Sequence, residues 1–217
     1  MALLSMALLR SLVSATAFLS FSLFLSAATA QTETSELTGL TLSERMDGLE
    51  SLSGKFQQHQ YSDEGALLAS FQGNFQIVMP GKVRWETLDP MPQLLVSDGG
   101  RYWLHDPDLD QVTTGSLDSS LQMAPAILFS GDTGRLQNEY EILQLSDGLF
   151  QLRPKIENSL FKHLELSFDK TRLEGFSMFD HMGQRTEFQL LETQQNMPVD
   201  AETFVFQVPQ GSDVIYQ

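Results

Sequence analysis

The sequence predicts a mainly β protein with one helix before its strands and a helical insertion among them. Apolar and polar residues alternate in several short runs, of which 71–79 is the clearest. Such alternation is typical of half-buried antiparallel strands. Turn dipeptides such as Asp98-Gly99 and Asp147-Gly148 separate the runs. A proline-containing apolar segment, Ser119–Phe129, interrupts the pattern midway, and its proline favours the start or end of a helix.

The first thirty residues are typical of a secretory signal peptide. Arg10 precedes the apolar run Ser11–Ser26, and Ala28-Thr29-Ala30 forms a small-residue cleavage site. The alternative is an uncleaved membrane anchor, but the short, serine-containing apolar core favours cleavage after Ala30. No cysteine follows the run, which excludes a lipid anchor on an N-terminal cysteine. We therefore expect an exported, periplasmic chain that begins at Gln31.

The remaining chain, Gln31–Gln217, has the length of one ordinary domain. Its lack of cysteine means that it folds without disulfides. The formal net charge of the full chain is −15, which repels phosphate backbones and anionic membrane surfaces. We therefore expect a monomer that does not bind nucleic acid, and whose apolar ligands bind in an interior.

The strongest helix signal covers Thr41–Lys55. Thr41 and Glu44 form a capping box. An apolar stripe follows at helical spacing, with the charged residues on the opposite face: Leu42, Met46, Leu49 and Leu52 against Glu44, Arg45, Asp47 and Glu50. Two interpretations remain open. The helix either closes one side of a core or acts as a lid over a cavity.

Strands are predicted from Phe56 onward. Phe71, Phe75, Ile77 and Met79 share one parity within their run. Similar alternation recurs at 164–168 and 204–208, so a meandering antiparallel sheet is expected. Trp85 and Trp103 lie in successive strands of this sheet.

No motif in the chain predicts catalysis, a cofactor or a metal. The four histidines fall in separate predicted elements, and no zincin pattern, nucleophile elbow or glycine-rich phosphate loop occurs. The spacing of Asp106, Asp108 and Asp110 suggests a calcium loop. However, Gln111 and Leu117 stand where that loop needs glycine and glutamate. We therefore expect a protein that is not an enzyme.

A series of motifs in order along the mature chain resembles the LolA family of periplasmic outer-membrane lipoprotein carriers. The motifs with most residues are PGKxRWE at 80–86 and LxSDGxxxWxxDPDLDQV at 95–112. Shorter ones are Phe56-x-Gln58, Ala124–Leu128, Phe150–Pro154, Asp180-x-x-Gly183-Gln184-x-Thr186 and the closing Phe204–Asp213. Each short motif is weak alone, but together they keep the family's order.

The resemblance implies an unclosed β-barrel, in which a curved antiparallel sheet and a lid of short helices enclose a hydrophobic cavity. Such proteins receive triacylated lipoproteins from an inner-membrane ABC-type transporter, carry them across the periplasm and pass them to an outer-membrane receptor. The alternative is a carrier, or a sensor domain, for another acylated lipid such as a glycolipid. An esterase is disfavoured, because no serine has a base arranged beside it in the sequence.

The resemblance also implies roles for individual residues. The acyl-chain cavity would be lined by Phe71, Phe75, Ile77, Met79, Trp85 and Trp103. The lid would contain Met46 and Leu49 from the first helix and Ala126, Ile127 and Leu128 from the insertion. Docking of a partner is assigned to Val83 and Arg84.

One position departs from the family pattern. Family members often have an arginine before the turn proline, where it holds the lid closed by hydrogen bonds. Met79 occupies that position here. We therefore expect that closure of the lid in this protein is mainly apolar.

Overall fold

The computed structural model describes residues 41–116, 133–156 and 159–217, which form twelve strands and a few short helices. A helix that we call α1 covers residues 41–46, α2 is Thr133–Glu139, and a 3-10 helix covers Ala201–Phe204. The strands are β1 (Ser51–Tyr61), β2 (Leu67–Val78), β3 (Lys82–Asp89), β4 (Gln93–Asp98), β5 (Arg101–Asp106), β6 (Gln111–Ser116), β7 (Tyr140–Ser146), β8 (Leu149–Pro154), β9 (His163–Asp169), β10 (Arg172–Phe179), β11 (Arg185–Gln195) and β12 (Asp213–Tyr216).

All twelve strands belong to one sheet, in the order β12-β6-β5-β4-β3-β2-β1-β11-β10-β9-β8-β7. Neighbouring strands are antiparallel except β12, which lies parallel to β6. The outermost strands, β12 and β7, are not paired with each other, so the described sheet is unclosed. The predicted mainly β fold with an unclosed antiparallel sheet is confirmed.

The sheet consists of two meanders that meet at β1. Strands β1–β6 form the first and β7–β11 the second, and β1 pairs with both β2 and β11. Strands β6 and β7, although consecutive in the described chain, therefore lie near opposite edges of the sheet. Residues 117–139 must connect these two edges. The predicted helix in Ser119–Phe129 lies outside the described residues.

The predicted helix over Thr41–Lys55 is wrong in its second half. Helix α1 ends at residue 46, and Gly48 follows with a φ of 70°, a left-handed conformation that commonly ends helices. Residues from Ser51 onward belong to β1, where Leu52 pairs with Ile77 on one side and Gln195 on the other. Pairing on both sides outweighs the helical spacing of the local sequence.

Alternation along the strands places the main core on one face of the sheet, which we call the concave face after the curved sheet expected for this fold. Leu52 and Phe56 of β1 share this face with Phe75 and Ile77 of β2. All the remaining strands from β3 to β11, apart from β6, contribute to the same cluster. Their residues are Val83, Trp85, Leu95, Tyr102, Tyr140, Ile142, Phe150, Leu152, Leu164, Leu166, Phe168, Leu173, Phe176, Phe188 and Leu190. Leu42 of α1 and Leu136 of α2 complete it from outside the sheet.

The turns of the meanders fall at two ends of the sheet, which we call the lower and upper ends. The lower end holds α1 and the turns at 79–81, 99–100, 147–148 and 170–171. The upper end holds the turns at 62–66, 90–92, 107–110 and 180–184. The turn dipeptides at 80–81, 98–99, 147–148 and 182–183 all coincide with these connections, as predicted.

The approach of β2 to β3 depends on Gly73. A Cβ at this position would lie 1.9 Å from the carbonyl oxygen of Glu86 and 2.7 Å from the Phe56 ring. We expect Gly73→Ala to lower the free energy of unfolding by about 3 kcal/mol, at the upper part of the range for overpacked sites, as measured by urea denaturation.

Gly100→Ala is the matched control, because its nearest contact would be an ordinary 3.7 Å to Asp98. Equal stability of the two variants would mean that β2 and β3 do not approach each other as described.

Candidate binding site on the concave face

Aromatic rings from five strands stack against one another at the centre of the concave face. Trp85 of β3 stacks on Phe56 with 4.2 Å between ring centroids and on Phe75 with 5.4 Å. Phe188 and Phe176 meet its edge at 5.8 and 6.3 Å. Trp85 is only 6% exposed. The face is therefore apolar and filled by its own side chains, which must move before an apolar ligand can take their place.

Most of the predicted cavity residues lie on this face. Phe75, Ile77 and Trp85 are buried there, and Phe71 is half-buried with the same parity in β2. Met79 is half-buried and packs against the same cluster at the lower end.

Trp103 is an exception, and its predicted place in the cavity wall is wrong. Leu95 pairs with Trp85 and Leu104, whereas Trp103 pairs with Val96. Cross-strand partners share a face, so Trp103 lies on the outer face. There it stacks on Phe206 with 6.1 Å between centroids. Alternation within a single strand cannot reveal which parity faces inward.

Helix α1 covers the concave core with apolar side chains. Leu42 is buried, and Met46 and Leu49 pack against the cluster from the lower end. These two predicted lid residues therefore contact the core. The other three, Ala126, Ile127 and Leu128, lie outside the described residues. Sequence reasoning missed Leu136, which α2 adds to the core, since a seven-residue helix is too short to show an apolar period.

Arg45 attaches α1 to the second meander, although its position in the sequence predicted a solvent-facing side chain. Its Nη1 donates to the carbonyl of Lys170, and its Nη2 donates to Oδ1 of Asp147 at 2.5 Å. The guanidinium carbon lies 5.4 Å from the centroid of the Phe150 ring. The side chain is 13% exposed while that of Asp147 is 96% exposed. The expectation of a mainly apolar closure therefore does not hold for α1.

Asn196 fixes the link between α1 and β1, residues 47–50, which together with α1 we call the α1 segment. Its Oδ1 accepts from the Glu50 amide at 2.8 Å, and its Nδ2 donates to the Gly48 carbonyl at 2.8 Å. The Met79 amide donates to the Glu50 carbonyl at 2.8 Å. The link between α1 and β1 is thus hydrogen-bonded to the end of β11 and to the β2–β3 turn.

The two residues assigned to partner docking face opposite sides of the sheet. Val83 is buried in the concave core, whereas Arg84 lies on the outer face 3.9 Å from Glu86. Adjacent residues of a strand cannot belong to one flat surface. In this structure Val83 is therefore too buried to contact a partner, and only Arg84 of the predicted docking pair reaches the surface.

Two grooves with polar side chains in their linings lie on the outer face of the sheet. One of about 660 Å³ runs along β10 and β11 and includes His59, Arg172 and Glu187. The other, of about 380 Å³, crosses β1–β3 and includes Lys55 and Arg84. Three residues of the aromatic stack border these grooves, Phe176 and Phe188 the first and Phe75 the second.

Among the described residues, His163 is an ionisable side chain whose pKa is shifted by its surroundings. Burial lowers the pKa of His163 below its usual 6.5, although the Glu165 carboxylate opposes this. The imidazole stacks on Phe179 with 4.3 Å between centroids, so it packs as a neutral ring at neutral pH. No group of three histidine and acidic side chains is placed to hold a metal among residues 41–116, 133–156 and 159–217.

A family model described as "Outer membrane lipoprotein carrier protein LolA" matches residues 47–207 of the chain. The chain belongs to the LolA family. A relative named "Outer-membrane lipoprotein carrier protein" from Azotobacter vinelandii is 38% identical over 179 residues, covering 81% of this chain and 86% of the relative. One of the same name from Pseudomonas paraeruginosa is 37% identical over 184 residues, with 83% and 86% covered.

A solved structure shares the fold of this chain. The superfamily protein from Nitrosomonas europaea superposes with a TM-score of 0.51 at 12% identity, covering 80% of this chain and 98% of the other. At this identity the likeness concerns the fold alone. No helix in the described ranges has the length and apolar character needed to cross a membrane.

The attachment of α1 can be tested by removing the Arg45 guanidinium. We expect Arg45→Gln to lower the free energy of unfolding by about 1–2 kcal/mol, because charge-assisted hydrogen bonds of a shielded side chain are lost. Hydrogen exchange of the amides in 42–49 should become faster in the native protein. Urea denaturation and exchange mass spectrometry measure the two effects.

Lys55→Gln is the control, because its ion pair with Glu192 is exposed on the outer face and should contribute little. If Arg45→Gln changed stability and exchange no more than this control, Arg45 would not hold α1 in place.

Proposed function

We propose that this protein is a periplasmic lipoprotein carrier that binds acyl chains on its concave aromatic face and catalyses no reaction. The observation that carries the proposal is the unclosed sheet whose concave face holds the large apolar core and is covered at one end by α1. Relatives that span most of the chain are named outer-membrane lipoprotein carrier proteins, which supports the same cargo here.

The mature form in this proposal is a single carrier domain, Gln31–Gln217, released by cleavage after Ala30. It takes triacylated lipoproteins from an inner-membrane ABC-type transporter and passes them to an outer-membrane receptor. A monomer suffices, because the concave face is formed by one chain.

The packed state of the concave face explains how such a carrier could release its cargo. Burial of one methylene contributes about 0.8 kcal/mol, so a sixteen-carbon chain represents roughly 13 kcal/mol. Displacing Trp85 and its aromatic neighbours from one another offsets part of that gain. The closed, self-packed state therefore competes with the ligand and lowers its apparent affinity.

The function is tested by a release assay. Purified Gln31–Gln217 is added to spheroplasts that hold newly made triacylated lipoproteins, and the supernatant is analysed for a one-to-one complex. Appearance of the complex supports the carrier. If no lipoprotein is released but lipid co-purifies with the protein from the periplasm, the cargo is another acylated lipid. If neither is found, the carrier function is refuted.

The binding face is tested with the two tryptophans of the chain, which lie on opposite faces of the sheet. A short triacylated cysteine peptide of neutral sequence is titrated into Trp103→Phe, which keeps Trp85, and into Trp85→Phe, which keeps Trp103. We expect the emission of Trp85 to shift with peptide concentration and that of Trp103 to stay constant.

Gel filtration checks that the peptide co-elutes with both variants, so that a constant signal cannot result from lost binding. A response of Trp103 with a silent Trp85 would place the acyl chains on the outer face and contradict the proposed site.

A further inference from the structure

Five large apolar side chains stand exposed at the upper end of the first meander. They occupy the tips of three connections that follow one another across the sheet, β1–β2, β3–β4 and β5–β6. Their exposed fractions run from 51% to 67% for Leu67, Leu68, Leu88, Met91 and Leu109. We call residues 62–68, 88–92 and 106–110 the upper rim.

Hydrogen bonds hold the turns of the upper rim in fixed conformations. Ser62 and Ala66 close the first turn through a backbone bond of 2.9 Å. In the third turn the Asp106 carboxylate accepts from the amides of Asp108 and Leu109 at 3.1 and 3.2 Å. Gln93, directly after the second turn, donates to the same carboxylate at 3.0 Å. The apolar side chains are therefore presented by ordered backbone, which lowers the entropic cost of docking.

The charges of the upper rim all have one sign. Its three segments contain six carboxylates and neither lysine nor arginine: Asp63, Glu64, Asp89, Asp106, Asp108 and Asp110. An anionic lipid surface would be repelled by such a group. A protein face with apolar residues at its centre and basic residues around them would match the upper rim in both apolar character and charge.

The lower end of the sheet is already occupied by α1, whose Leu42 and Arg45 are shielded from solvent. At the upper rim the exposed apolar side chains have no such cover among the described residues. Exposed apolar groups that lie close together on a protein surface commonly mark an interaction site.

We propose that the upper rim is the docking surface for a membrane-anchored partner protein whose contacting face has apolar side chains surrounded by lysine and arginine. The placement of that partner in a membrane rests on the proposed carrier function; the chemistry of its face rests on the upper rim itself. The surface is distinct from Val83 and Arg84, which lie toward the lower end in β3.

The test measures binding of Gln31–Gln217 to membrane vesicles by co-sedimentation. The probes are urea-washed inner-membrane and outer-membrane vesicles of the source bacterium, the same vesicles after protease treatment, and liposomes of their extracted lipids. We expect saturable binding to at least one type of untreated vesicle, loss of that binding after protease, and weakening by tenfold or more between about 0.05 and 0.5 M salt.

Two rim variants are compared with wild type. One reverses three exposed charges, Asp63→Lys, Glu64→Lys and Asp108→Lys; the other removes apolar tips, Leu68→Ser, Met91→Ser and Leu109→Ser. Asp106 is kept because it closes its turn. We expect each to weaken binding about tenfold or more, with a circular dichroism spectrum and urea midpoint close to those of wild type.

Matched controls change the same kinds of residue elsewhere on the surface. They are Asp47→Lys with Glu141→Lys and Glu202→Lys, and Leu145→Ser with Met197→Ser and Val205→Ser, all exposed outside the upper rim. These should bind as wild type does.

Equal loss in the controls, unchanged binding of the rim variants, equal binding to liposomes, or absence of binding to every vesicle would each overturn the proposal. Failure of the carrier function is detected separately by the Trp85 titration. A chain that docks through the upper rim but binds no acyl peptide would refute the carrier and leave the docking surface standing.

Discussion

The pairing of β1 on both of its sides is the constraint on which the rest of the structure depends. It joins a meander made from the first half of the chain to one made from the second. It also places Phe56 between β2 and β11, the neighbours of β1 in the sheet. Gly73 permits that packing because the Phe56 ring occupies the space of its missing side chain. The aromatic stack around Trp85 thus brings together residues that are more than one hundred positions apart in the chain. It forms only when β1 pairs with both β2 and β11.

The concave face combines two properties that oppose each other. Its aromatic side chains offer a large apolar surface, yet they already pack against one another. A ligand therefore gains only the difference between its own packing and the packing it displaces. For a carrier this difference matters more than the total apolar area, because strong net burial would prevent transfer. The polar attachments of α1 belong to the same balance, since they stabilise the arrangement in which the aromatic rings pack on one another.

The sequence predicted the type and order of most strands because alternation and turn dipeptides are local signals. It placed the end of α1 too far along the chain, because the apolar period continues past Gly48. The residues that follow form a strand that pairs with β2 and β11. It also put Trp103 on the wrong face, since parity within one strand says nothing about the register with the next. Arg45 was missed for a third reason. Its partners, Lys170 and Asp147, lie in turns of the other meander, and no local pattern reveals such a contact.

The contacts of the α1 segment reach four separated places on the lower end: the β2–β3 turn, the end of β11, the β9–β10 turn and the β7–β8 turn. A short segment tied at these points holds the two halves of the sheet together at the lower end. The spacing between the two halves at the lower end therefore depends on α1 and on the link that follows it. Any movement that separates the two halves at the lower end must therefore break contacts of this segment, whereas a movement that leaves those contacts intact keeps the spacing at that end unchanged.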